Sequence, residues 1–137
     1  MQTDGQLGAM QADVAKLVGC KLTDIRVRTF CVEFVFADAL SITVRVKKAF
    51  KFLLGGETES GFDPAVLTHD QSAERAEFVF LRGMRCRDAT LNRSKLEVVF
   101  ENSWRLWVEL GDKDFEPLEL IGATGERHEK MDFYYVL

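Results

Sequence analysis

The chain has 137 residues, of which 47% are hydrophobic and 29% charged, and this composition is ordinary for a soluble globular protein. A chain of this length buries roughly two thirds of the surface that it exposes when unfolded, so folding needs neither disulfides nor a metal. The formal net charge of -4 disfavours wholesale binding to nucleic acid or to an anionic membrane. We therefore predict one soluble domain over residues 1–137 that binds no nucleic acid and no membrane.

The cysteine pattern and the N-terminus indicate the compartment. Cys20, Cys31 and Cys86 are an odd number of cysteines without CxxC spacing, which favours reduced, packed thiols and disfavours a zinc site. The N-terminal segment carries a single basic residue, Lys16, and no unbroken apolar run, so it does not resemble a secretory signal. We expect a cytoplasmic protein without a metal or other cofactor.

Apolar residues at helical spacing predict a short helix before Gly19. Met10, Val14 and Leu17 recur with this spacing, and Gly19 lies where a left-handed glycine commonly ends a helix. After the glycine the apolar period falls to two, which predicts three half-buried antiparallel strands. The apolar positions of these strands are Ile25 and Val27, then Phe30, Val32, Phe34 and Phe36, and then Leu40, Ile42, Val44 and Val46.

The same pattern recurs 64 positions later in the chain. Residues 12–46 align without a gap with residues 76–110, and most apolar positions coincide. The identical pairs include Gly19/Gly83, Asp24/Asp88 and Glu33/Glu97. We predict two repeated units, residues 10–47 and 74–110, each a helix followed by a three-stranded meander.

The remaining segments connect and close the two units. Residues 55–71 contain tandem glycines and few apolar residues in alternation, which predicts a mobile connection. Residues 115–137 predict a C-terminal hairpin with strands Leu118–Ile121 and Met131–Val136 around a turn at Gly122–Gly125. The predicted fold class is α+β, with two helix-meander repeats in antiparallel sheet and this hairpin.

Four short motifs and one closing segment carry a resemblance to a known family. They are Leu17-x-Gly19, Phe36-x-Asp38, Leu81-x-Gly83, Phe100-x-Asn102 and the run from Glu116 to Gly125. With them the chain resembles an uncharacterised family of small bacterial two-repeat proteins, over residues 10–127. The family is expected to have Trp at Leu118 and Gly at Ala39 and Ser103, so the chain departs from it there. The resemblance implies a fold and brings no catalytic residues.

Few residues offer catalytic chemistry. The two histidines, His69 and His128, lie in polar segments, and no nucleophile lies near His69 and Asp70 in sequence. The repeated acids Asp24 and Asp88 are expected to shape the turn after each glycine. We predict that the protein is not an enzyme. The alternative is a small-molecule-binding or hydrolytic domain with a pocket between the two units, using His69, Asp70 or the repeated acids.

Trp107 is the strongest candidate for binding. The alternation of its strand places Trp107 and Arg105 on the outer face, where we expect them to be exposed beside Val99 and Val35. An exposed tryptophan beside an arginine is typical of a protein-binding hot spot. In the alternative arrangement, the C-terminal hairpin or the other unit covers Trp107.

A second candidate surface is the acidic stretch that contains Asp112, Asp114 and Glu116, which suits a cationic partner. Nucleic acid is disfavoured because Phe30, Phe34 and Phe36 are expected on the face opposite the arginines. We predict a non-enzymatic protein-binding protein of the bacterial cytoplasm. Its most concrete form is a partner-neutralising protein such as a toxin-immunity protein.

Overall fold

The computed structural model describes residues 4–28, 31–47, 50–54, 58–62, 81–110, 118–124 and 130–137. Within these residues the chain forms one α-helix and ten strands, so the fold is mostly β. None of the described helices is long and apolar enough to cross a bilayer. The elements are α1 (Asp4–Val14), a single 3₁₀ turn (Ala15–Leu17), β1 (Lys21–Arg28), β2 (Cys31–Ala37), β3 (Ser41–Val46), β4 (Phe50–Leu54), β5 (Thr58–Phe62), β6 (Cys86–Leu91), β7 (Lys95–Phe100), β8 (Arg105–Glu109), β9 (Leu118–Thr124) and β10 (Lys130–Val136).

The strands form two five-stranded antiparallel sheets. Sheet A has the order β1-β2-β3-β9-β10, and sheet B has the order β5-β4-β8-β7-β6. Each predicted three-stranded meander is thus present, and each is extended by the hairpin that follows the other meander in the chain. The prediction of antiparallel sheet is confirmed, and the hairpins are exchanged between the two sheets.

The hydrophobic core lies between the inner faces of the two sheets. Phe36 of sheet A stacks on Phe100 of sheet B with ring centroids 6.1 Å apart. Phe34 meets Phe50 edge to face, with centroids 5.5 Å apart. These rings lie at alternate positions of their strands and point to the same inner face, which is why the period-two pattern predicts the core positions.

The helix covers the open edge of sheet B. Met10 and Val14 are buried, and they orient α1 against the core. Gln11 then lies beside strand β6, where its side-chain amide donates to the carbonyl oxygen of Ala89 and accepts from the N–H of Leu91. An edge strand otherwise presents unpaired backbone groups, so this glutamine takes the place of a neighbouring strand.

The first residues of β1 and β6, and the residues just before each strand, are joined by reciprocal backbone hydrogen bonds. The N–H of Gly19 donates to the carbonyl of Cys86 at 2.9 Å, and the N–H of Gly83 donates to the carbonyl of Leu22 at 2.8 Å. In the 64-residue alignment Gly19 corresponds to Gly83 and Leu22 corresponds to Cys86, so each of the two bonds is the counterpart of the other. Gly19 and Gly83 have φ of 89° and 84°, a conformation that costs glycine little.

Both meanders also contain a bulge at the same aligned position. The register of β1 against β2 shifts between Leu22 and Asp24, and that of β6 against β7 shifts between Cys86 and Asp88. Each aspartate accepts a hydrogen bond from the next backbone N–H at 2.9 Å. Asp24 and Asp88 therefore lie at a bulge inside β1 and β6, and not in a turn after each glycine as predicted.

The second and third strands of the two meanders pair in different registers. Phe36 lies opposite Ile42 in sheet A, whereas the N–H of Phe100 bonds to the carbonyl of Trp104 in sheet B. In the 64-residue alignment Ile42 corresponds to Leu106, but Phe100 lies opposite Trp104. The pairing of β7 with β8 is therefore displaced by two residues from that of β2 with β3. The displacement decides which side chain lies opposite each repeated acid.

The segment predicted as a connection, residues 55–71, differs from the prediction. Strand β5 lies within it and pairs with β4, which was also not predicted as a strand. The run Thr-Glu-Ser-Gly-Phe has no apolar alternation, so its conformation comes from pairing with β4 rather than from its own pattern. Residues 63–80, with all of the predicted second helix except Leu81, lie outside the described residues.

The two strands of the predicted C-terminal hairpin pair with each other, and β9 continues to Thr124, through three of the four residues predicted as the turn. Strands β9 and β10 pair along their length, and Gly122 lies inside β9 opposite Phe133. A Cβ added at Gly122 would overlap the Phe133 ring. The glycine therefore makes room for an aromatic ring in a strand, a packing role that also favours glycine within a sheet.

Candidate functional site

The outer face of sheet B holds the predicted binding residues. We define the Trp107 face as Lys95, Glu97, Val99, Arg105 and Trp107. In the sheet, Glu97 lies opposite Trp107 and Val99 lies opposite Arg105. The structure thus brings Trp107, Arg105 and Val99 together on one surface, at the centre of a five-stranded sheet.

Charged side chains support the Trp107 ring. The Nζ of Lys95 lies 4.4 Å from the ring centroid, a distance typical of a cation–π contact. The same Nζ is 3.1 Å from Oε2 of Glu97, and Nη1 of Arg105 is 3.5 Å from Oε1 of Glu97. Trp107 is half-buried among these groups. Its ring is therefore held in place and still presents surface to a partner.

The prediction that the two valines are exposed is wrong. Val99 is only 6% exposed and Val35 only 9%. Both valines lie in the second strand of their meander, between two neighbouring strands, and Arg105 lies directly opposite Val99. The C-terminal hairpin, the predicted cover for Trp107, pairs with β3 in the other sheet.

Several predicted site residues lie outside the described residues. They are the acidic candidates Asp112, Asp114 and Glu116, together with His69, Asp70 and His128.

The outer face of sheet A carries a different arrangement, which we call the carboxylate ladder. It runs across the four strands β1, β2, β3 and β9 through Arg28, Glu33, Arg45 and Glu119, with Lys47 directly after β3. Glu33 pairs with Arg28 and, at 2.9 Å, with Arg45, while Glu119 pairs with Arg45 and, at 2.9 Å, with Lys47. The two acids are buried on an outer face, at 4% and 8% exposure, because the basic side chains lie over them.

The basic partners keep both acids of the ladder ionised. Burial alone would raise the pKa of Glu33, but hydrogen bonds from Arg28 and Arg45 outweigh it and lower the pKa below the ordinary value. For Glu119, burial is again opposed by Lys47 and Arg45, and the pKa is lowered. A carboxylate so held does not act as a general acid near neutral pH, so the ladder is structural.

The repeated acids Glu33 and Glu97 lie on different sheets. Glu33 lies on the outer face of sheet A, and Glu97 on the outer face of sheet B. Asp24 and Asp88 each bond to their own backbone. The structure therefore does not bring Glu33 and Glu97 together, because they lie on the outer faces of different sheets.

The thiols follow the prediction of packed cysteines. Cys20 and Cys86 are buried, and Cys31 is half-buried. Burial raises the pKa of Cys86 to about 12 and also raises the pKa of Cys20. Because the thiolate is the nucleophile, these two thiols are unreactive at neutral pH.

Sequence reasoning missed a groove on the outer face of sheet A. It encloses about 330 Å³ beside the carboxylate ladder. The floor consists of small side chains from three strands, and β1 forms a polar wall. The lining residues are Thr23, Asp24, Arg26, Val35, Ala37, Ser41, Thr43, Ile121 and Ala123. No sequence signal marks it, since the small residues come together only when β9 pairs with β3.

No protein-family model, curated protein or solved structure matches the chain. Among the described residues, no group of three His, Cys, Asp or Glu side chains is placed to hold a metal ion.

Proposed function

We propose that the protein is a non-enzymatic binding protein whose partner is another protein and docks on the Trp107 face. The observation that supports this most directly is the placement of Trp107, half-exposed and stacked by Lys95 at the centre of a sheet. A rigid aromatic loses little conformational freedom on binding, so it contributes strongly to affinity. Toxin immunity in the bacterial cytoplasm is the most concrete form of this proposal.

The chemistry of the buried groups supports a binding role over catalysis. The buried carboxylates of the ladder are paired with arginine and lysine, and the buried thiols have raised pKa values. A general acid or a nucleophile needs the opposite adjustment of its pKa. Lys95, Glu97 and Arg105 surround Trp107 with both signs of charge, as at the rim of a protein interface.

A capture experiment tests the proposal. The immobilised full chain is incubated with an extract of its native host, and the bound material is examined by native mass spectrometry. We expect one protein in stoichiometric amount, retained by the wild-type chain and reduced with Trp107→Ala. A bound small molecule without a protein partner would contradict the proposal and favour the small-molecule alternative.

The acidic stretch gives a second docking surface for a cationic partner, and it has its own signature. Replacing Asp112, Asp114 and Glu116 by amides should slow association most at low salt, because long-range charge acts mainly on the encounter rate. An association rate that changes neither with the salt concentration nor with these substitutions would exclude this docking surface.

We also propose that the chain is a duplicated unit in which the two copies exchange their C-terminal hairpins. The reciprocal bonds of Gly19 and Gly83, the matched bulges and the exchanged hairpins support it. Gly19→Ala and Gly83→Ala are a matched test, because an added Cβ meets nothing within 4 Å at either site. Each should cost about 1–2 kcal/mol from its positive φ alone. Clearly unequal losses in urea unfolding would argue against equivalent units.

A further inference from the structure

The groove of sheet A combines a largely apolar floor with a polar wall that contains an arginine. Val35, Ala37 and Ala123 contribute the apolar surface, while Arg26 stands in the wall formed by β1. The groove exists because these outward positions hold small side chains, whereas the same strands carry the long side chains of the ladder two positions further along. Its volume of about 330 Å³ is near the lower end of small-molecule sites, which begin at roughly 300 Å³.

The wall holds two charged side chains, Arg26 and Asp24, and Arg82 contacts Asp24 from outside the groove lining. The carboxylate of Asp24 accepts from Nε of Arg26 at 2.9 Å and from Nη2 of Arg82 at 3.4 Å, and also from the N–H of Ile25. Two guanidinium groups thus share one carboxylate. Within the described residues Arg26 bonds only to Asp24, and it does so through Nε, so its terminal amino groups can bind an anion.

Two hydroxyl groups complete the groove. Ser41 and Thr43 line its floor, and neither hydroxyl has a hydrogen-bond partner among the described residues. Ser41 is only 9% exposed and lies in the lining of the groove. A hydroxyl in such a place can donate to a carboxylate oxygen.

We infer that this groove binds a small organic acid, with its carboxylate on Arg26 and its short apolar body on the floor. The fixed guanidinium and the hydroxyls of Ser41 and Thr43 provide charge-assisted and neutral hydrogen bonds to the carboxylate. Val35 and Ala123 give the body an apolar surface. The carboxylate of Asp24 is already shared by Arg26 and Arg82, so a cationic ligand would find no free anionic partner in the wall. The groove lies on the opposite sheet from the Trp107 face, so this inference does not depend on the proposed function.

The test uses NMR titration of the ¹⁵N-labelled full chain with two probes of equal length, hexanoate and hexylamine. We expect hexanoate to shift the amide signals of Thr43 and Ala123 saturably, and hexylamine to leave them unchanged. Arg26→Gln should lower the affinity for hexanoate at least about tenfold, since hydrogen bonds to charged groups are stronger than neutral ones. Arg93→Gln, the same charge change in the turn of sheet B between β6 and β7, is the matched control and should bind normally.

A second variant keeps the result independent of the arginine. Ala123→Leu fills the groove from its floor and should abolish the hexanoate shifts, with an unchanged unfolding curve because the side chain points outward. Equal binding of hexylamine, shifts elsewhere on the protein, or no effect of Arg26→Gln would overturn the inference. So would tighter binding of a blocked Asp-Leu dipeptide than of hexanoate, which would assign the groove to an acidic side chain of a protein.

Discussion

The outer faces of the two sheets differ in the residue that lies opposite an aligned glutamate. Glu33 and Glu97 are 64 residues apart, and each lies in the second strand of its meander. In sheet A the residue opposite the acid is Arg45, and in sheet B it is Trp107. Arg45 closes over Glu33, whose side chain is 5% exposed, while Glu97 is 17% exposed beside the tryptophan. An arginine opposite the acid covers it, whereas a tryptophan opposite the acid leaves it more exposed.

The largest expected difference between the faces is in stability. Arg45→Met removes the cation shared by Glu33 and Glu119 and leaves two buried carboxylates under-paired, so it should cost about 3 kcal/mol. Arg105→Met is the matched change in sheet B. It should cost less than about 1 kcal/mol, because Arg105 is 43% exposed and meets Glu97 at 3.5 Å.

Urea unfolding of both variants measures this difference. Equal losses would contradict the view that the ladder is structural and the Trp107 face is not. A larger loss from Arg105→Met would reverse the roles of the two faces.

The ladder also depends on the C-terminal hairpin, because Glu119 comes from β9. Gly122→Ala should force the Phe133 ring away from the strand and destabilise the protein by about 1–3 kcal/mol, as overpacking does. The same substitution at Gly8, in the exposed part of α1 where a Cβ meets nothing within 4 Å, is the control and should stabilise slightly. Thermal unfolding compares the two, and an unchanged melting temperature for Gly122→Ala would exclude the proposed packing.

Acid should destabilise the protein through the ladder. The pKa values of Glu33 and Glu119 are lowered from the ordinary 4.5, so both acids stabilise the fold fully above that pH. As the pH falls below 4.5 and through the lowered pKa values, the folded state must take up protons and this stability is lost. The double variant Glu33→Gln, Glu119→Gln should therefore show a flatter decline of the urea midpoint with acid. A decline as steep as that of the wild type would assign acid sensitivity to other groups.

The sequence was informative wherever one residue or one local pattern determines the structure. The left-handed glycines Gly19 and Gly83, the period-two strands and the outward side of Trp107 all follow from local rules. The burial of Val99 did not follow, because neighbouring strands supply the side chains that cover it. Local patterns predict direction better than exposure.

Long-range pairing was the part that the sequence did not reveal. Nothing in β4 or β9 specifies which meander it joins, and the exchange places β9 beside β3. That pairing brings Glu119 next to Arg45 and creates both the ladder and the groove. The two-residue displacement of β8 against β7 puts Trp107 opposite Glu97, and no composition rule anticipates it.

The most direct test compares one aromatic residue from each face in binding to the captured partner. Tyr134 of sheet A is 45% exposed and serves as the control for Trp107. Isothermal titration calorimetry should show that Trp107→Ala lowers the affinity for the partner at least about 30-fold, as at a central hot spot. Tyr134→Ala should change the affinity less than about twofold. If Trp107→Ala binds like the wild type, or if Tyr134→Ala causes the larger loss, the partner does not dock on the Trp107 face.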